Sequence, residues 1–117
     1  MNEDFVPFEL AVKLKEKGFR EKVNAYYGKH ENIFEIHPAL DMNDADYRAS
    51  APTIPQVLKW LRNTYNLHVE TYPCGLGMWK FLVTNITTLE ERALRDKYTS
   101  SEQAEIAGIS YVLDNLI

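Results

Sequence analysis

The sequence predicts an α+β fold, with a small antiparallel sheet of about four short strands and three main helices packed mostly on one face. Three observations carry this. Between Ala51 and Tyr65 the apolar residues recur at helical spacing, and from Leu67 they switch to strict alternation. Pro73-Cys74-Gly75-Leu76-Gly77 then supplies turn chemistry before a second alternating run, Met78 to Thr84. Finally, the stretches near each end read as amphipathic helices, available to cover a sheet that a lone hairpin could not stabilise.

In the central unit, Thr53 stands at the N-cap position and Pro55 in the first turn, where its missing N–H costs nothing. Ile54, Val57, Leu58, Leu61 and Tyr65 form the apolar stripe, and Asn66 is a left-handed stop. Leu67, Val69 and Thr71 alternate with His68, Glu70 and Tyr72, then Trp79, Phe81 and Val83 with Lys80, Leu82 and Thr84. The preceding helix, with its matching stripe, is the expected cover for this hairpin.

Upstream, the spacing predicts a helix over Phe5 to Phe19, ending at Gly18, with Leu10, Ala11 and Leu14 buried and Lys13, Lys15 and Lys17 in its later turns. Val23 to Tyr27 reads as a strand, Gly28 to Asn32 as a turn, and Ile33 to Ile36 as a returning strand. A long loop follows from His37 to Pro52, pinned by Leu40, Met42 and Tyr47. Downstream, Thr88-Leu89-Glu90-Glu91 has the form of a capping box and predicts a short helix to about Arg95. Ser100-Ser101-Glu102-Gln103 starts the last helix, whose stripe is Ile106, Ile109, Val112, Leu113 and Leu116. The 117 residues are expected to form one domain.

Composition narrows the function classes. A net charge of −4 with both signs interspersed leaves no basic footprint for nucleic acid or for an anionic membrane. Cys74 is alone, which excludes an intrachain disulfide and a cysteine-rich zinc site. Met1-Asn2-Glu3-Asp4 lacks the form of a secretory signal, so a cytoplasmic protein is expected. No cofactor or metal is expected. His30 and His37 match no zinc spacing, and Asp41, Asp44 and Asp46 lack the Gly and Glu of a calcium loop. Cys74 has no base beside it in sequence, and Gly75-Leu76-Gly77 joins strands, unlike a phosphate loop. No nucleophile–base pair is recognisable, and no catalytic residue is assigned.

Two surfaces remain. Trp60 projects about 120° from the stripe of its helix, and Ala104, Ala107, Gly108 and Tyr111 form a small-residue face opposite the last helix's stripe. Small residues permit close helix approach and aromatic anchors suit interfaces. Trp60, Tyr111, Ala107 and Gly108 are therefore the expected partner-binding residues, the partner being another protein or a second copy of the chain. The second reading is weak nucleic-acid binding through Lys13, Lys15, Lys17, Arg20 and Lys22 with Tyr26 and Tyr27 as stacking rings.

Phe8-Glu9-Leu10-Ala11 through Gly18-Phe19, Ala51-Pro52-Thr53 through Leu61-Arg62, and Glu102-Gln103-Ala104 through the terminal helix together cover most of the chain. The combination resembles a family of small uncharacterised proteins encoded in Bacteroides-type bacteria and their phages and prophages. The stretch from Thr87 to Thr99 is longer and more charged than in that family. The resemblance implies the fold and a phage or mobile-element context, with no catalytic residue to carry over; with the two surfaces above, a non-enzymatic interaction protein is the expected function.

Overall fold

The computed structural model describes residues 5–117. The acidic start, Met1 to Asp4, lies outside them. The chain gathers into two compact units, one ending at Ile54 and the other running from Pro55 to Ile117. The fold class is α+β, but the strands number six and form two three-stranded antiparallel sheets where one sheet of about four was expected.

In the first unit, α1 (Phe8–Glu16) precedes β1 (Val23–Tyr27), β2 (Ile33–Leu40) and β3 (Ala49–Ser50), in the sheet order β2-β1-β3. Helix α1 is shorter than the Phe5–Phe19 span, because Pro7 occupies the N-cap position in extended backbone. Its other end matches expectation. Gly18 takes a φ of 85°, Phe19 N–H donates to Leu14 O and Gly18 N–H to Lys15 O, which satisfies the last helical carbonyls. Leu10, Ala11 and Leu14 are buried as expected.

The segment read as a loop from His37 to Pro52 is partly strand. β2 continues to Leu40, and Ala49–Ser50 adds to the other side of β1, pairing with Tyr27 and Tyr26. Hydrogen bonds rather than apolar pins hold the connection. Asn43, 7% exposed, donates from Nδ2 to Phe19 O at 2.7 Å and accepts from Ser50 N–H at 2.8 Å, while Met42 N–H donates to Ser50 Oγ. Of the three residues expected to anchor the segment, Met42 is buried whereas Leu40 and Tyr47 are exposed.

In the second unit, α2 (Ile54–Tyr65) enters from its first residue and leads through Asn66, at φ 58°, into β4 (Leu67–Gly75). β5 (Met78–Asn85) and β6 (Glu91–Ala93) complete the sheet β4-β5-β6, and α3 (Ser101–Asn115) ends the fold. The turn Leu76-Gly77 holds both residues at positive φ, 57° and 73°, as a type I′ hairpin requires. Ser100 caps α3 by accepting from Gln103 N–H, as its sequence suggests.

Two expectations fail here. The helix closest to β4 and β5 is α3 and not α2, because Ala104 and Gly108 on α3 are small enough to bring its backbone onto the sheet. The helix predicted from Thr88 is absent. Asn85 Oδ1 accepts from the N–H groups of Thr87 and Thr88, Leu89 turns to φ 64°, and Glu91–Ala93 becomes an edge strand. Asn85 closes a side-chain-capped turn, and its Oδ1 takes the Thr88 N–H that a capping box would give to the Glu91 carboxylate.

Candidate interaction surfaces

The structure places the four expected partner-binding residues differently from one another. Trp60 is 8% exposed and meets Tyr65 edge to face, with centroids 5.4 Å apart. At 100° per residue, Trp60 lies only about 60° from Val57, on the other flank from Leu58 and Tyr65. The buried stripe is centred near Val57, so Trp60 belongs to it while Leu58 is only half-buried. Trp60 is a core residue.

Gly108 is likewise buried. A Cβ built there would stand 2.7 Å from Val69 Cγ1 and 3.1 Å from Phe81 Cγ, so this helix face lies against the hairpin. Tyr111 is half-buried with its ring 5.9 Å from that of Phe81, and Ala107 is half-buried. The small-residue face does permit close approach, but the element approaching is the chain's own sheet.

Exposed apolar side chains gather in β2. Ile33, Phe34 and Leu40 are 42%, 44% and 51% exposed. Local pairing explains why a strand this apolar stays open. β2 is the outer strand of its sheet and joins β1 through Tyr26↔Phe34 and Tyr27↔Ile33, with a register break between Val23 and Ala25. On one face the Tyr26 and Phe34 rings stack with centroids 5.3 Å apart. Phe34 also lies over Gly28, where a Cβ would meet its ring at 2.9 Å, so the absence of a side chain there seats the aromatic. The other face turns Tyr27 inward. Its ring meets Phe8 edge to face, its hydroxyl donates to Val6 O at 2.6 Å, and burial raises its pKa.

Several residues of the second reading are engaged within the chain. Tyr27 is half-buried, with its ring against Phe8. Arg20 is paired with Asp41 at 2.6 Å, and the Lys15 ammonium donates to the carbonyls of Ala45 and Arg48. Lys15 and Tyr27 do come together, lining a cavity of about 590 Å³ with Phe8, Val12, Tyr47 and Arg48.

Two carboxylates of the acidic cluster are paired with arginines. Asp41 is bound by Arg20 and Asp44 by Arg48, whose hydrogen bond holds the Asp44 carboxyl below the usual range. Among the described residues no group of three or more His, Cys, Asp or Glu side chains is placed to hold a metal ion. His30 and His37 are exposed, and His68 is half-buried on β4. Cys74 is half-buried at the register shift between Pro73 and Gly75. No described helix is long and apolar enough to cross a membrane.

The apolar run of β2 was visible in sequence as Ile33-Phe34-x-Ile36, but its exposure was not. An alternating or continuous apolar strand is ordinarily a buried one. The polar turn Gly28–Asn32 joins β2 to β1 without showing whether β2 has a second neighbour. No protein-family model, curated protein or solved structure matches the chain.

Proposed function

We propose that this chain is a non-enzymatic protein–protein interaction module, of phage or mobile-element origin, that engages its partner through β2. The observation that carries the reading is the exposure of Ile33, Phe34 and Leu40 on one outer strand. Phe34, opposite Tyr26, exposes apolar area on one face of this edge strand, and Ile33 and Leu40, opposite Tyr27 and Val23, on the other. Phe34 is the natural anchor, because stacking on Tyr26 and seating over Gly28 fix its ring before a partner arrives. The mobile-element context rests on the family resemblance alone.

The test compares wild-type protein with Phe34→Ser and Leu40→Ser as baits in lysate of the encoding host, with and without nuclease. The reading expects one protein recovered regardless of nuclease and lost with both variants. Recovery that persists with both variants, or that vanishes with nuclease, overturns it.

A further inference from the structure

Going beyond the β2 surface and independently of it, we infer that the cavity beside α1 is a binding site for a free aromatic α-amino acid. The cavity lies where α1 passes the end of β1 and the start of β3. Phe8, Val12, Lys15 and Glu16 line it at spacings of four, three and one, so they share one side of the helix. Tyr27 and Ala49, paired in register, line the opposite wall, and Tyr47 and Arg48 stand next to Ala49. A volume of about 590 Å³ is ordinary for a small-molecule site. Glu16, Asp46 and Tyr47 are exposed, so the cavity opens to solvent.

The ligand class follows from the lining. Phe8, Tyr27 and Tyr47 supply three aromatic rings, and Val12 adds aliphatic surface. Rings of this kind favour an aromatic body over an aliphatic one. The charges are of both signs. Lys15 gives two of its three N–H donors to Ala45 O and Arg48 O, which are neutral groups. Its half-buried ammonium therefore keeps one donor and has no counter-ion among the described residues. Arg48 is already met by Asp44. Glu16 and Asp46 form no ion pair among the described residues. The opposite signs are also adjacent, since Lys15 precedes Glu16 on α1 and Ala45, whose carbonyl holds Lys15, precedes Asp46. A simple carboxylate would satisfy Lys15 but face two like charges, and a simple amine would leave Lys15 unmet. An α-amino acid carries both charges on one carbon. Its carboxylate accepts from Lys15, its ammonium donates to Glu16 and Asp46, and its ring lies against Phe8 and Tyr27.

The test is a titration of the full chain, followed by its amide NMR shifts, with four probes: L-phenylalanine, L-leucine, 3-phenylpropionate and phenethylamine. Phenylalanine is expected to shift the amides of Lys15, Gly28, Tyr47 and Arg48 saturably, with a Kd of about 1 mM or tighter, and to leave those of β4 and β5 in place. Phenylpropionate lacks the ammonium and phenethylamine the carboxylate, so each is expected to bind about fivefold more weakly or worse. Leucine, without a ring, is expected to bind about threefold more weakly. Val12→Trp fills the cavity and is expected to abolish the shifts. If Val12→Trp fails to fold, Tyr47→Ser decides, since the exposed Tyr47 ring can be removed without opening the core; it is expected to weaken phenylalanine about threefold. The inference is overturned by the absence of saturable shifts up to about 10 mM, or by shifts confined to β4 and β5. It is equally overturned by leucine or either singly charged probe binding as tightly as phenylalanine, or by binding undiminished in the folded variant that decides.

Discussion

Gly108 lies so close to Val69 that a single added methyl would stand 2.7 Å from Val69 Cγ1. This contact sets the distance between α3 and its sheet. In an open helix Gly→Ala gains about 1 kcal/mol, but forcing a methyl into a packed core costs about 1–3 kcal/mol. The neighbours here are a buried valine and the Phe81 ring, so overpacking prevails. Gly108→Ala is expected to lower stability by about 1 kcal/mol, read as a reduced urea midpoint at unchanged slope. Gly108→Leu should lose more, since the helix must lift from the hairpin.

The Asn43 side chain holds the connection between β2 and β3. Asn43→Ala removes the acceptor of Ser50 N–H and a donor to Phe19 O in a buried site, at a cost of about 1–3 kcal/mol. Hydrogen exchange offers a local readout. The Ser50 amide should lose protection in the variant while amides of β4 and β5 keep theirs.

Tyr27 links strand β1 to Val6 through its hydroxyl, so Tyr27→Phe is expected to cost about 1 kcal/mol. The pH dependence has a definite sign. Burial raises the folded-state pKa of Tyr27 above the ordinary tyrosine value of 10.0. The folded state then holds its proton where the unfolded state has lost it, so the contribution is whole below pH 10 and declines as pH rises through the folded value. Wild type and Tyr27→Phe should converge in stability on the alkaline side.

Leu76, at φ 57° and 99% exposed, occupies a left-handed turn position with no packing to offset the strain. Leu76→Asn creates the Asn-Gly pair favoured in such hairpins and is expected to raise stability by about 0.5–1 kcal/mol. Thermal melting reads the gain directly.

Local signals in the sequence proved informative wherever one residue's chemistry decides. Gly18 and Asn66 end helices in left-handed backbone, Ser100 caps α3, and the alternation from Leu67 to Thr84 is a hairpin. Reading failed where two short-range options compete. Thr88-Leu89-Glu90-Glu91 satisfies a capping box on paper, yet Asn85 Oδ1 takes the Thr88 N–H that the box needs and a strand follows. Tertiary choices were the least visible. Period alone could not decide between α2 and α3 as the hairpin's cover, and a stripe centred about 60° off put Trp60 on the surface when it is core. The candidate surface was written in Ile33 and Phe34, but an apolar strand left open reads the same as one that is covered.

Photo-crosslinking from position 34 in the encoding host reports on what the β2 surface meets. A photoreactive phenylalanine analogue replaces Phe34 in one protein and Lys59, exposed on α2, in another. The account predicts a single dominant protein adduct from position 34 that is absent from position 59. No adduct at position 34, or the same adducts from both positions, would contradict it.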